Sequence, residues 1–545
     1  MSVTLFGKIK TLPRKYVNNS FSRWKSDLRS SLRARRCDTS MVSIRRGFGG
    51  ARDNVSSVLR WIVVVFVLAN QTLVTGVEPV SSHQSFRLRD VATAAFTESN
   101  YVITIRRELH RSPELMWEEF GTSAVIKREL DEMGIEHKDV AAPGVVGQIG
   151  NGEGPAVLLR ADMDALPIFE ESSADFFPTH LQSQTPGIMH ACGHDGHVAM
   201  LLGAAKILKK HESKLNGTVY LVFQPAEEGG AGARAMLEKG LLKFTPKIQA
   251  AFALHNWPYP ETKSGVIGTR VGTIMAGSAA FEIKLSEANS SLANSQDEEG
   301  KHKNNADTIL CAAGVISALQ TFASQLVDPL DAALVTVTVV DSSMGSNKSS
   351  NASSSSSSES FYSSLPGSEH EFSPKQVRLV GQFHATSPET FQSAFDAIEN
   401  IATLSAKSLG CDVTVDFSPE VGRSEGRSIK RAHYPPTVND PKVYELVTRV
   451  GVEMFGNSYV LRNVDPVMPG EDFGFFVQTW PSNMAWLGVY SPEKGSVYPL
   501  HSGKYVLDES VLHKGVAMHI GVALEFLNTG GGGEGERRLP EREEL

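Results

Sequence analysis

Apolar residues follow two rhythms along this chain. In residues 92–140 they recur at three- and four-residue spacing, as in YVITIRRELHRSPELMWEEFGTSAVIKRELDEMG, which ends on Gly134. That period predicts helices. Farther on, short unbroken apolar runs alternate with helical patterns. AVLLRADMD (156–164), the start of GTVYLVFQPAEEGGAGARAMLEKG, and AAFALHNWP read as buried strands, and HVAMLLGAAKILKKH reads as a helix. A strand buried on both faces shows no alternation, so this succession predicts an α/β layer with a mostly parallel sheet. From about residue 275 the rhythm changes again. SAAFEIKLS, DAALVTVTVVD and QVRLVGQFHA read as strands of a smaller α+β unit, with helices at 306–326 and SPETFQSAFDAIENIATLSAKSLG. Residues 418–528 return to the first style and close on an amphipathic helix.

The expected architecture is therefore one discontinuous α/β domain, residues 91–274 and 418–528, with a smaller domain, 275–417, inserted in it. A serine-dominated stretch inside the insert, 342–374, is low-complexity and predicts disorder. Residues 1–90 and 529–545 stand outside both domains.

The ends speak to location. Residues 1–60 are rich in Arg and Lys, and WIVVVFVLA (61–69) follows. That apolar run is shorter than a membrane-spanning helix needs and has the length of a signal h-region. The segment predicts a secretory signal or an N-terminal membrane anchor, with an organellar transit segment as the alternative. The last four residues, Arg-Glu-Glu-Leu, resemble an endoplasmic-reticulum retention address, and together the two ends predict the endoplasmic-reticulum lumen. The net charge of −8 offers no basic face for nucleic acid. Beyond the N-terminal segment there are three cysteines, Cys192, Cys311 and Cys411, too few for a disulfide framework. Cys311 sits in a helical pattern and reads as a core residue.

The densest chemistry lies in GIMHACGHDGHVAM, where His190, Cys192, His194 and His197 occupy eight positions with Asp195 among them. An extended chain would put His190, Cys192 and His194 on one face; a helix would align His190, His194 and His197. The C-x-H pair suits Zn²⁺ or a similar first-row ion. In QPAEEGG, adjacent carboxylates Glu227 and Glu228 follow a strand, so one can bind metal while the other faces water as a general base. LHNWP and YPLHSGKY add His255 and His501. A single histidine is ordinarily structural. Cys192, His194, one Glu, His255 and His501 together make five donors, too many for one tetrahedral ion with an open position and suited to two ions bridged by the thiolate. Asp162, Asp164 and most of these donors follow predicted strands, so they can meet at the carboxyl edge of the sheet.

These segments, with LHRSPELMWEEFGTSA, LLRADMDALPI, MPGEDFGFF and PLHSGKYVLDES, resemble the dinuclear metal amidohydrolases, a family including plant indole-acetyl–amino acid hydrolases, bacterial hippurate hydrolases and N-acyl-amino-acid deacylases. The resemblance spans about residues 95–275 and 435–528, in order. It implies a metallopeptidase-like catalytic domain and an inserted domain serving as lid and homodimer interface. It implies two divalent ions, Mn²⁺ or Zn²⁺, held by Cys192, His194, Glu228, His255 and His501. Glu227 is then the general base and acid, and Asp162 and Asp164 orient ligands. Glu471 and Asp472 match a further motif near the site, and His190 and His197 are surroundings. The implied reaction cleaves the amide of an N-acyl amino acid, such as an auxin-type conjugate, to a carboxylic acid and a free amino acid.

The sequence departs from the family in the insert. IKLSEANSSLANSQDEEGKHKNNADTIL lacks the family's lid histidine, with only His302 nearby in a polar stretch. The Asn-Val-Ile-Pro motif gives way to the serine-rich segment, and the usual Arg before the last lid helix is His384. Losing an oxyanion donor costs on the order of 10²–10³ in rate. Losing the cation weakens selection of a free α-carboxylate. Two other readings follow: a catalytically silent metal-binding relative, which the retained Glu227 argues against, and a dipeptidase or esterase of shifted specificity.

Overall fold

The structure, a computed structural model, describes residues 88–171, 177–287, 306–328, 331–343, 374–424 and 427–530. The N-terminal basic and apolar segment, His302, most of the serine-rich insertion and the charged tail lie outside the described residues.

The helical spacing near the start becomes α1 (Leu88–Thr97), α2 (Ser99–Arg111) and α3 (Phe120–Glu132). Each buries its apolar stripe, through Val91 and Ala95, Val102 and Ile105, and Ile126 and Leu130. The helical expectation for 92–140 fails after Gly134, where β1 (Glu136–Asp139) pairs antiparallel with β2 (Val145–Gly150). β1 has the polar sequence EHKD on a mostly exposed strand, so no apolar period marks it.

The unbroken apolar runs become β3 (Ala156–Asp162), β4 (Thr218–Gln224) and β5 (Ile248–Trp257). Every residue of β3 and β4 is buried, which explains why neither alternates. Helix α4 (His194–Lys210) lies between β3 and β4 in the chain, and α5 (Gly232–Lys239) between β4 and β5; β6 (Ile267–Gly268) follows.

The inserted unit contains β7 (Gly277–Glu287), α6 (Thr308–Thr321), β8 (Ala333–Ser343), β9 (Gln376–Ala385), α7 (Pro388–Ser408) and β10 (Cys411–Asp416). Its antiparallel sheet has the order β10-β7-β9-β8 and a core of its own, including Phe281, Val315, Leu379, Phe383 and Ile398. Cys311 is fully buried on α6, as its periodicity predicts, yet it is not a lone thiol. It forms a disulfide with Cys411 at the start of β10, their Cα atoms 6.5 Å apart. Counting thiols excluded a framework but overlooked a single bridge, which needs only that α6 pack across the first residue of β10.

The chain then returns through α8 (Pro441–Phe455), β11 (Val460–Leu461), α9 (Gly474–Thr479), β12 (Ser482–Gly488) and α10 (Leu512–Asn528). The main sheet has the order β1-β2-β4-β3-β5-β12-β6-β11. Its centre, β4-β3-β5-β12, is parallel, and antiparallel pairs flank it. Because β12 comes from beyond the insert and pairs with β5 from before it, the sheet is discontinuous in sequence. One face packs on α4 and α10, through Val198, Leu202, Val516 and Ile520. The other packs on Met236, Phe473 and Phe476. Among the described residues no helix is long and apolar enough to cross a membrane.

Candidate metal centre

The parallel register brings the strand ends level. Asp162 pairs with Gln224, and His255 pairs with Trp486. Cys192 and His194 reach this carboxyl edge through Gly193, which has φ 78°. A Cβ there would lie 2.6 Å from Asn256 Nδ2. The turn puts Cys192 ahead of the helix and makes His194 the first residue of α4. Neither an extended nor a helical run describes the cluster, and His190 is not among the converging donors.

The QPAEEGGAG turn contains two non-glycine residues in the left-handed region, Ala226 and Ala231, both at φ 54°. L-residues seldom adopt this conformation. The turn gives the two carboxylates different partners. Glu227 Oε1 lies 3.4 Å from the Asp472 N–H, while Glu228 Oε1 lies 3.1 Å from His501 Nε2. His501 is itself left-handed, at φ 64°, and its N–H donates to the Ala191 carbonyl at 3.0 Å.

Four overlapping groups of donors converge among the described residues, and two of them contain Glu227, one with His194 and Glu228 and one with Glu471 and Asp472. Cys192, Glu228 and His501 each offer an atom within 4.8 Å of one another, as do Asp162, His194, His197 and His255. The groups touch: Cys192 Sγ is 3.4 Å from His255 Nε2, and Glu228 Oε1 is 4.0 Å from His194 Nε2. Hydrogen bonds sort the histidines. His194 Nδ1 is engaged by the Asp164 carbonyl at 2.9 Å, and His255 Nδ1 by the Asn256 carbonyl at 2.7 Å, so both Nε2 lone pairs face the cluster. His197 is spent on both sides, with Nδ1 2.5 Å from Asp162 Oδ1 and Nε2 accepting the Asn256 N–H at 3.0 Å. It is a support, despite its proximity.

His194 Nε2 and Glu228 Oε1 are buried with no hydrogen bond, although His501 Nε2 lies 3.1 Å from that oxygen. Unsatisfied buried acceptors beside a thiol are what a divalent cation would satisfy, so the donor set fits such an ion. The protein's own electrostatics agree. Burial, then Glu228 and Glu227, push the Cys192 thiol well up. Burial, then Glu471, Glu228 and Asp472, push Glu227 well above the usual carboxylate range. Burial opposes a charge on His194, but Asp162 and Asp164 outweigh it and raise the imidazole to about 10. A nearby divalent cation would reverse all three tendencies.

Behind the donors lies a buried polar network. Asp164 Oδ2 accepts the Glu228 N–H at 2.9 Å. Arg160 donates to Asp162 Oδ2 at 2.7 Å, Glu471 Oε1 at 2.9 Å, Asp472 Oδ1 at 3.1 Å and Gln224 Oε1 at 2.9 Å. Glu471 and Asp472 thus gather at Arg160 beside Glu227. Sequence reasoning missed Arg160, Gln224 and Asn256. The signal for Arg160 was present: a charge inside the apolar run AVLLRAD must find buried partners. Asn256 carried none beyond its place next to His255. It donates to the Cys192 carbonyl at 2.8 Å and accepts from the Tyr505 hydroxyl.

A cavity of about 500 Å³ opens on the cluster. Cys192, Glu227, Glu228, His255, Trp257, Tyr259, Leu500 and His501 line its floor and walls, and Leu334, Gln382 and His384 reach it from the inserted unit.

Comparison with known proteins agrees with this geometry. The model of peptidase family M20/M25/M40 matches residues 158–525. IAA-amino acid hydrolase ILR1-like 4 of Arabidopsis thaliana is 34% identical over 481 residues, covering 86% of this chain and 96% of the relative. N-acetyl-L-cysteine deacetylase of Bacillus subtilis is 33% identical over 426 residues, covering 77% and 86%. The crystal structure of the Bacillus subtilis YXEP protein, described as a dinuclear metal binding peptidase from the M20 family, superposes with a TM-score of 0.60. It is 28% identical and covers 79% of this chain and 99% of that one. The discontinuous parallel sheet, the donor set at its carboxyl edge and these matches agree that the chain belongs to peptidase family M20/M25/M40 and is a hydrolase of that family.

Proposed function

We propose that this hydrolase is a metal-dependent amidohydrolase that cleaves the amide of N-acyl amino acids, auxin-type conjugates among them, to a carboxylic acid and a free amino acid. The observation that carries the reading is the division of labour at the Glu-Glu turn. Glu228 Oε1 lies 3.1 Å from His501 Nε2, while Glu227, within 4.8 Å of His194 and Glu228, is buried beside Asp472 and lines the cavity. The names of the two relatives, an IAA-amino acid hydrolase and an N-acetyl-L-cysteine deacetylase, support this substrate class.

Cys192, His194, Glu228, His255 and His501 would hold two divalent ions, Mn²⁺ or Zn²⁺, which when bound supply Lewis-acid activation of the carbonyl and of water. Glu227 takes the proton of the attacking water as its oxygen adds to the carbonyl carbon. It then returns that proton to the amide nitrogen as the C–N bond breaks. Asp164 and Asp162 hold the donors in place; Arg160 favours the charged form of all three acids beside it and holds Asp162 well below the usual carboxylate range, while burial raises Glu471 and Asp472. Trp257, Tyr259 and Leu500 supply apolar wall for the acyl group.

The reading extends to assembly and location. β8 is the outer strand of its sheet, with Leu334 47%, Val339 40% and Val340 58% exposed, an edge suited to a second copy. The apolar segment 61–69, the Arg-Glu-Glu-Leu terminus and the Cys311–Cys411 bridge support the endoplasmic-reticulum lumen, where thiols oxidise.

The test is Glu227→Gln in the full-length chain. Metal content should hold while turnover of N-acyl amino acids drops by a factor on the order of 10² or more. Turnover that survives the substitution would remove Glu227 from the mechanism.

A further inference from the structure

The cavity is electrically lopsided. Glu227, Glu228 and Glu471 line it at the donor cluster. Apart from histidines, Arg431 is the one basic side chain among its described lining residues. Arg431 is exposed, and no carboxylate of the described residues pairs with it.

Its backbone is nevertheless firmly held. The Arg431 N–H donates to the Pro419 carbonyl at 2.9 Å. Three residues on, Tyr434 exchanges backbone hydrogen bonds with Ser278 at the start of β7, at 2.7 and 2.9 Å. The Tyr434 hydroxyl donates to the Glu227 carbonyl at 2.6 Å and accepts the Ala231 N–H at 3.2 Å. One short segment therefore carries Arg431 at one end and grips the backbone of Glu227 at the other. It fixes a free guanidinium relative to the carboxylate assigned as base.

We propose that Arg431 binds the free carboxylate of the amino-acid half of the substrate. This rests on the amidohydrolase reading and adds a specificity determinant to it. A planar guanidinium on an anchored backbone can bind a carboxylate through two parallel hydrogen bonds. A cation fixed away from the donor cluster orients the substrate, with its carboxylate toward Arg431 and its amide toward Glu227. His384 does not compete for the role. Burial, and then the charge of Arg431 itself, push its imidazole below the usual range and keep it neutral. The cation that position 384 lacks is carried instead by the segment through which the chain leaves the inserted unit.

The experiment uses the full-length, metal-loaded protein with one N-acyl amino acid and the same compound capped as its primary amide. Wild type, Arg431→Gln and Arg431→Lys are compared, with thermal midpoints recorded to exclude misfolding. Arg431→Gln should raise KM for the free acid by about tenfold or more, with kcat changed less than about threefold. It should leave kcat/KM for the capped compound within about twofold, and Arg431→Lys should recover part of the loss, as a point charge lacking the fork does. Equal loss on both compounds, or none on the free acid, overturns the assignment. A wild type that hydrolyses neither compound instead overturns the amidohydrolase reading, and this assignment with it.

Discussion

Asp164 fixes His194 twice over. Its backbone carbonyl lies 2.9 Å from His194 Nδ1 and its Oδ1 3.3 Å from the same nitrogen. The ring can then present only Nε2 to the donor cluster. The other oxygen of the same carboxylate holds the Glu228 N–H, so one side chain positions two proposed ligands. Asp164→Ala should keep the carbonyl contact and lose both carboxylate contacts. Metal affinity, measured by competition with a chelator, should fall about 10–100-fold while the protein stays folded. Unchanged affinity would make Asp164 a mere neighbour.

Arg160 lies among Asp162, Glu471 and Asp472, and all four side chains are buried. The three carboxylates converge on it, and it compensates for their removal from water. Arg160→Met keeps most of the volume and removes that compensation. Denaturant unfolding should show a loss of about 3–5 kcal/mol. A variant within about 0.5 kcal/mol of wild type would show that the acids are neutral in the folded state.

How legible this was depended on the kind of signal. Strands β3, β4, β5 and β9 were readable because burial on one or both faces dictates apolar runs or alternation. β1 was not, because a polar edge strand needs no apolar residues. The donors were readable because few side chains bind metal, and clustering them within a few residues is rare by chance. Their geometry was not. Neither extended nor helical spacing anticipated that Gly193 would turn between Cys192 and His194, since the turn depends on Asn256 lying against it, 63 residues away in sequence. The Cys311–Cys411 bridge was hidden for a similar reason, as it depends on which helix face meets which strand end.

His519 should make stability pH-dependent. It is 1% exposed on α10, where burial and the nearby His197 push its imidazole down to about 3. In the unfolded chain it titrates near 6.5. Between those values the unfolded state binds the extra proton, so the contribution is full above about pH 6.5 and is lost on acidification toward pH 3. His519→Leu removes the effect. From pH 6.5 to pH 5, wild type should lose about 1.5 kcal/mol more than the variant, read from urea midpoints. Parallel pH profiles would contradict a neutral, buried His519.

The proposed chemistry requires that the donors at the carboxyl edge of the sheet form a working two-metal amide hydrolase. The most direct measurement quantifies metal and amine release on one sample of the full-length protein, loaded with Mn²⁺ or Zn²⁺ and offered a panel of N-acyl amino acids. About two ions per chain together with turnover are expected. About two ions with no turnover on any substrate would contradict that proposal, and would mark the protein as a metal-binding relative in which the altered lid has silenced the chemistry.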